Sequence, residues 1–117
     1  LPDPGDHEAE VTAEDFRKIE LRTARVLDVE PVANANKLYK LSLDLGYERR
    51  TIVSGIREFY KPEELIGKNI VVICNLKPAK LRGVVSNGML LAAESPDGSE
   101  LALLTLDQDI TPGSRVH

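Results

Sequence analysis

KLYKLSLDLGYERRTIVSGI, residues 37–56, is the stretch on which the fold turns. Leu41, Leu43 and Leu45 alternate with Lys40, Ser42 and Asp44, and the run stops at Gly46. Successive side chains of a strand point to opposite faces, so this pattern predicts a strand with one buried face and one wet one. The link Gly46-Tyr47-Glu48 is short enough to return the chain through RRTIVSGI, and the whole stretch reads as a β-hairpin.

Upstream, the apolar positions run Ile19, Leu21, Val26, Leu27 and Val29 within residues 19–30, so the alternation changes phase part-way. A strand carrying a bulge does this, and small closed barrels need such bends. Before it, Thr12 stands three residues ahead of Asp15 in TAEDFRKIE, a capping box with Asp in place of the usual Glu. With acids in its first turn, the segment predicts a short helix over 13–18. Downstream, FYKPEELIGK places Pro62 at a helix start, Glu63 and Glu64 in the first turn and Gly67 at the exit, which predicts a second brief helix. NIVVICNL, GMLLAA and LALLTL are apolar runs of strand length. The order is strand, strand, strand, helix, strand, strand, with an appended C-terminal strand region. That is the order of an all-β OB-fold, a five-stranded Greek-key barrel that takes oligonucleotides on its second and third strands and on the loops after strands one and four.

Composition narrows the function. A chain of 117 residues with 42% hydrophobic content sustains one modest core. Residues 1–11 hold two prolines, a glycine and four acids with little to bury, so they read as an acidic linker or tail ahead of a domain over 12–117. No apolar run reaches the roughly 18–20 residues of a membrane span. Cys74 is the only cysteine and lies in an apolar run, which argues for a core thiol, a reducing cytoplasm and no cysteine-based metal site. His7 and His117 sit near the two ends of the chain, leaving its middle without the usual general base. Catalysis, metals and cofactors are therefore not expected.

Charge is unevenly spread. The total is −4, yet residues 37–82 carry ten bases against five acids, between acidic flanks. On the barrel order, Lys77, Pro78, Lys80, Arg82, Ser86, Asn87 and Gly88 form the loop between strands four and five, and PVANANK forms the loop between strands one and two. Both carry lysine and meet where this fold takes its ligands. A phosphate backbone wants cations on a stiff stem with small polar groups that allow close approach. Each base taken singly also reads as a solvated surface residue, Met89 also reads as core packing, and Ser54-Gly55 reads as a bulge or a close approach to ligand. The five aromatic residues, Phe16, Tyr39, Tyr47, Phe59 and Tyr60, lie mostly outside the two loops. That disfavours a sequence-tolerant single-strand binder, which needs stacking rings, and favours a folded RNA read through backbone and shape.

The segments ANANKLYKLSLDLG, TIVSGI, YKPEELIGKNIVVICNLKPAKLRG and SNGMLLAA together resemble the tRNA-binding domain that occurs as a stand-alone dimeric protein, at the carboxyl end of methionyl-tRNA synthetases, and in synthetase-associated cofactors. The resemblance covers about 12–116. EDFRKIELR with EPVANANKLYKL is most similar to the version that accompanies methionyl-tRNA synthetase. It implies a non-catalytic module that binds tRNA by shape at the outer corner of the L, where the D and T arms meet. It places Lys37, Lys77, Lys80, Arg82, Ser86 and Met89, with Asn75 of the NLKP motif, on the RNA-facing surface. Asn36 stands where the family usually has Asp, and Asn87 where it often has Gln or Glu. The resemblance also implies a homodimer formed through roughly 12–22 and 100–116, and partnership with a methionyl-tRNA synthetase catalytic domain. The alternative is a protein-interaction scaffold that docks synthetases.

Overall fold

The computed structural model describes all residues, 1–117. Residues 1–11 form no helix or strand and are exposed. Regular secondary structure begins after Thr12, whose hydroxyl accepts from the Asp15 amide at 3.0 Å while the Asp15 carboxylate accepts from Thr12 N at 3.4 Å. This capping box opens α1 (Ala13–Arg17), and β1 (Leu21–Pro31) follows. The expected phase change is present, because the pairing of β1 with β2 (Tyr39–Asp44) shifts register between Val26 and Asp28, leaving Leu27 as the extra residue. β2 turns at Asp44–Glu48 into β3 (Arg49–Ser54), with Leu41 opposite Ile52 and Leu43 opposite Arg50.

α2 (Pro62–Leu65) then plugs Leu65 into the core, and the Glu64 carboxylate accepts from Lys61 N at 2.8 Å. β4 (Asn69–Ile73) crosses back antiparallel to β1. After it come β5 (Ala79–Leu81), β6 (Val84–Ser86), β7 (Met89–Leu90), β8 (Ala92–Glu94), β9 (Leu101–Leu103) and β10 (Arg115–Val116). The main sheet runs β3-β2-β1-β4-β7, with β10 added beside β1, so five strands make the curled OB-like barrel the sequence predicts. Two expectations need correction. The connection between strands four and five is not an open loop, since β5 and β6 pair within it as a hairpin. GMLLAA is not one strand either: it breaks at Leu91, and β8 leaves the barrel to pair with β9.

The inward residues of β2 and β3 behave as their alternation demands, and Leu41, Leu43, Leu45, Ile52, Leu65, Ile70 and Val72 are wholly buried in one cluster. Cys74 is buried at its edge, and burial pushes its thiol pKa up, which keeps it protonated and inert. Leu101 and Leu103 pack on the same core, so this part of LALLTL is satisfied within the chain. A second, smaller cluster of Val32, Ala35 and Val53, flanked by Leu38 and Val84, lies outside the barrel. It fastens the connection after β1 and the β5–β6 hairpin to the outer face of β3. No helix is long and apolar enough to cross a membrane.

Candidate nucleic-acid interface

The β5–β6 hairpin carries most of the basic cluster, and its shape follows from two residues at its tip. Arg82 (φ 50°) and Gly83 (φ 83°) both adopt positive φ, as a two-residue type I′ turn requires. Lys80 lies opposite Val85 and Leu81 opposite Val84. Alternation turns Val84 toward the outer cluster on β3 and leaves Lys80 and Val85 on the free side, where Val85 is 48% exposed.

The stem is held by polar bonds. The Ser86 hydroxyl accepts from Val53 N at 2.9 Å and donates to Gly88 O at 2.9 Å. Asn87 N donates to Thr51 O at 2.9 Å. These bonds close the barrel between β3 and β7, where no regular ladder forms, so a side-chain hydroxyl stands in for a missing rung. Gly88 is required at this seam: it sits at φ 123°, and a Cβ there would meet Ile73 O at 2.7 Å. Arg50 completes the closure, donating from Nη1 to Cys74 O at 2.6 Å while Glu48 receives its Nε at 3.0 Å. Burial opposes the Arg50 charge, but the hydrogen bond to Glu48 holds its pKa above the ordinary value.

The connection after β1 is equally fixed. Arg57 donates from Nη1 to Ala35 O at 3.1 Å, and its amide donates to Lys37 O at 3.2 Å. The backbone of Lys37 is thus anchored while its side chain stays exposed. A cleft of about 440 Å³ is lined by Asn34, Ala35, Asn36, Lys37, Leu38 and Arg82. Lys37 therefore stands on the same side of the molecule as the hairpin tip. A second cleft joins Arg82 and Val84 to Lys40, which is paired with Glu30 at 3.3 Å.

Of the predicted site residues, Lys37, Lys77, Lys80 and Arg82 are exposed and none forms an ion pair. Met89, 46% exposed, lies on the outer side of β7 next to this region. Ser86 is a correction: it is 4% exposed with its hydroxyl committed at both ends, because closing the barrel uses it. Asn75 is exposed but also committed, since its Oδ1 accepts from Glu20 N at 2.8 Å and its Nδ2 donates to Lys18 O at 2.6 Å. It staples the end of α1 to the start of the basic segment, which fixes the amide's orientation. Gly55 is exposed, and a Cβ added there would come only to ordinary contact distance of Lys37 O, 3.9 Å.

Sequence reasoning passed over Arg50 and Arg57, the two arginines that brace the site. A signal existed for Arg50, which shares the inward phase of Ile52, where an arginine must find buried acceptors. None of the five aromatic residues lines the two clefts beside Arg82.

The chain matches the family described as "Putative tRNA binding domain" over residues 21–115. It is 58% identical over 106 residues to a methionine-tRNA ligase of Thermotoga maritima, covering 91% of this chain and 16% of that protein. A methionine-tRNA ligase of Methanocaldococcus jannaschii is 55% identical over 102 residues, covering 87% of this chain and 16% of that protein. The chain thus spans about one sixth of the length of these relatives. Among solved structures, a MetRS related protein from Pyrococcus horikoshii superimposes with a TM-score of 0.89 at 38% identity, covering 94% of this chain and 100% of that one. The chaperone CsaA of Bacillus anthracis gives 0.84 at 26% identity, covering 93% of this chain and 100% of that one.

Proposed function

The chain belongs to the tRNA binding domain family, and from that premise we propose that it is a non-catalytic module that grips folded tRNA at the outer corner of the L and holds it beside the catalytic body of a methionyl-tRNA synthetase in the cytoplasm. The observation that carries this reading is the convergence of Lys37 and Arg82 on one cleft, with Lys77 and Lys80 following along the hairpin and none of the four charges neutralised. Cations on rigid supports recognise phosphate geometry without reading bases, which suits a shape-specific RNA contact. Holding the RNA near an active site raises its effective concentration there without new catalytic contacts.

Four phosphate contacts at about 0.7–0.9 counterions each give a log-log salt slope of about −3 to −3.6. Between 50 and 200 mM salt, affinity then falls by roughly 50- to 150-fold. Competition among intact tRNA, an acceptor minihelix and a single-stranded oligomer tests the assignment. The intact tRNA is expected to win, and Lys80→Glu with Arg82→Glu is expected to abolish its binding while the fold survives. Undiminished affinity in that folded double variant would refute the site.

The exposed Phe16 and Ile19 of the amino-terminal segment meet Val116 around a cleft of about 300 Å³. Arg17, Arg115 and His117 complete its lining, and this mixed apolar and basic surface, assembled from both ends of the chain, supports a homodimer seated there. The same surface is what a scaffold docking a synthetase would use. Association with a synthetase that survives RNase treatment would favour the scaffold, and its loss would favour bridging by tRNA.

A further inference from the structure

We propose that Arg49 provides a second phosphate anchor at the stem of the hairpin, so that the RNA is held at both ends of the β5–β6 element rather than at its tip alone. This inference rests on the tRNA-binding reading above.

The hairpin has two ends with different surroundings. Its tip, Arg82-Gly83, meets Lys37. Its stem borders a separate cleft of about 340 Å³, whose lining includes Glu48, Arg49, Arg50, Pro78 and Asn87. Five residues of extended chain separate Lys77 from Arg82, which places the two ends roughly 16 Å apart. Within the stem cleft the charges sort cleanly. Glu48 is taken by Arg50, with Nε at 3.0 Å and Nη2 at 2.9 Å from the same carboxylate oxygen. Arg50 turns Nη1 to Cys74 O at 2.6 Å and Asn87 O at 3.5 Å. Arg49 is exposed and forms neither an ion pair nor a side-chain hydrogen bond within the chain.

The cleft therefore holds one unspent guanidinium, on a strand whose neighbour is locked in place. A guanidinium fork matches a phosphate bidentately, and strand pairing opposite Asp44 keeps the Arg49 backbone from shifting when it binds. Pro78 and Asn87 form the opposite wall, so a phosphate seated beside Arg49 also lies against the stem that carries Lys77. An adjoining cleft shares Arg49, Arg50 and Asn87 with this one and adds Asp28, whose carboxylate repels an anion. Glu48 is already paired with Arg50 whereas Asp28 forms no ion pair, so an anion is favoured in the cleft bounded by Pro78.

The test is the salt dependence of binding of unfractionated tRNA to Arg49→Ala, measured beside the parent chain, Arg49→Lys, Lys68→Ala and the Lys80→Glu, Arg82→Glu double variant. Lys68 is exposed and unpaired at the end of β4 away from the hairpin, so it reports the effect of net charge alone. With Arg49 as a fifth contact the parent slope steepens to about −3.5 to −4.5, and losing that contact lowers it by about 0.7–0.9. If the lines converge at 1 M salt, Arg49→Ala binds about tenfold more weakly at 50 mM and about threefold to fourfold more weakly at 200 mM. Arg49→Lys retains most of the slope, and Lys68→Ala leaves it near the parent value. Melting curves that match the parent show that Arg49→Ala remains folded. A line parallel to the parent, or a loss no greater than that of Lys68→Ala, overturns the second anchor. Unchanged binding by the double variant would instead sink the parent reading, whatever Arg49→Ala does.

Discussion

Ser86→Ala separates a residue that touches RNA from one that builds the surface RNA touches. In the structure the hydroxyl accepts from Val53 N and donates to Gly88 O, each at 2.9 Å, in a site only 4% exposed. Alanine removes both partners at once, leaving a buried amide and a buried carbonyl without them. An orphaned buried group costs about 1–3 kcal/mol, and the carbonyl, which keeps a lone pair free even in native chains, falls at the low end, so about 2–4 kcal/mol is expected. For a domain of this size that lowers the melting temperature by on the order of 10 °C. Thermal denaturation followed by circular dichroism measures it. Because the bond joins β3 to the hairpin stem, tRNA affinity falls as well, but no cation is lost. Well below the melting point, the salt slope of the variant stays at the parent value. A variant that melts with the parent yet binds tRNA far more weakly would refute the structural role and return the hydroxyl to the RNA surface.

Gly88→Ala fails for a steric reason: the new Cβ would lie 2.7 Å from Ile73 O at a backbone φ of 123°. A cost above about 2 kcal/mol is expected from strain and displacement together, read as a lowered urea midpoint, and a midpoint equal to the parent's would show that the seam can shift to accommodate it. Phe16→Asp removes an exposed apolar ring from the cleft it shares with Ile19 and Val116 and puts a carboxylate in its place. In sedimentation equilibrium the parent is expected as a dimer and the variant as a monomer, and a monomeric parent would remove the homodimer altogether.

The parts of the fold that were legible in the sequence are those whose burial is decided by neighbours along the chain. Leu41, Leu43 and Leu45 announced a half-buried strand because period-two alternation and the inward face coincide. The phase slip around Leu27 announced a bulge for the same reason. Thr12 and Asp15 announced a helix start because capping is a contact over three residues, and Pro62 with Glu63 and Glu64 announced another because a fixed φ and first-turn acids are local preferences. The hairpin at 79–86 was not legible. Its strands are three residues each, its turn puts an arginine at positive φ where Asn or Gly is the usual signal, and its apolar side is buried by a cluster from distant segments. Ser86 looked like a loop residue beside Asn87-Gly88, and only closure of the barrel makes it interior. Lys37 and Arg82 line one cleft even though the connection carrying Arg82 was misread as an open loop.

The tip of the hairpin is fixed by Val84 packing against Val32, Ala35 and Val53, and the stem is fixed by Ser86, Asn87 and Arg50. Neither set includes Lys37, Lys77, Lys80 or Arg82, whose side chains support nothing else in the chain. Exposed, unpaired charges contribute little to stability, typically within about 0.5 kcal/mol. The residues that hold the surface in shape and those that give it charge are therefore separate populations. Substitution of the first lowers stability and affinity together, whereas substitution of the second changes affinity and its salt dependence in a chain that melts as before. Arg50 and Arg49, adjacent in sequence, mark the boundary: the inward arginine is consumed in closing the barrel, and the outward one is left to meet an anion.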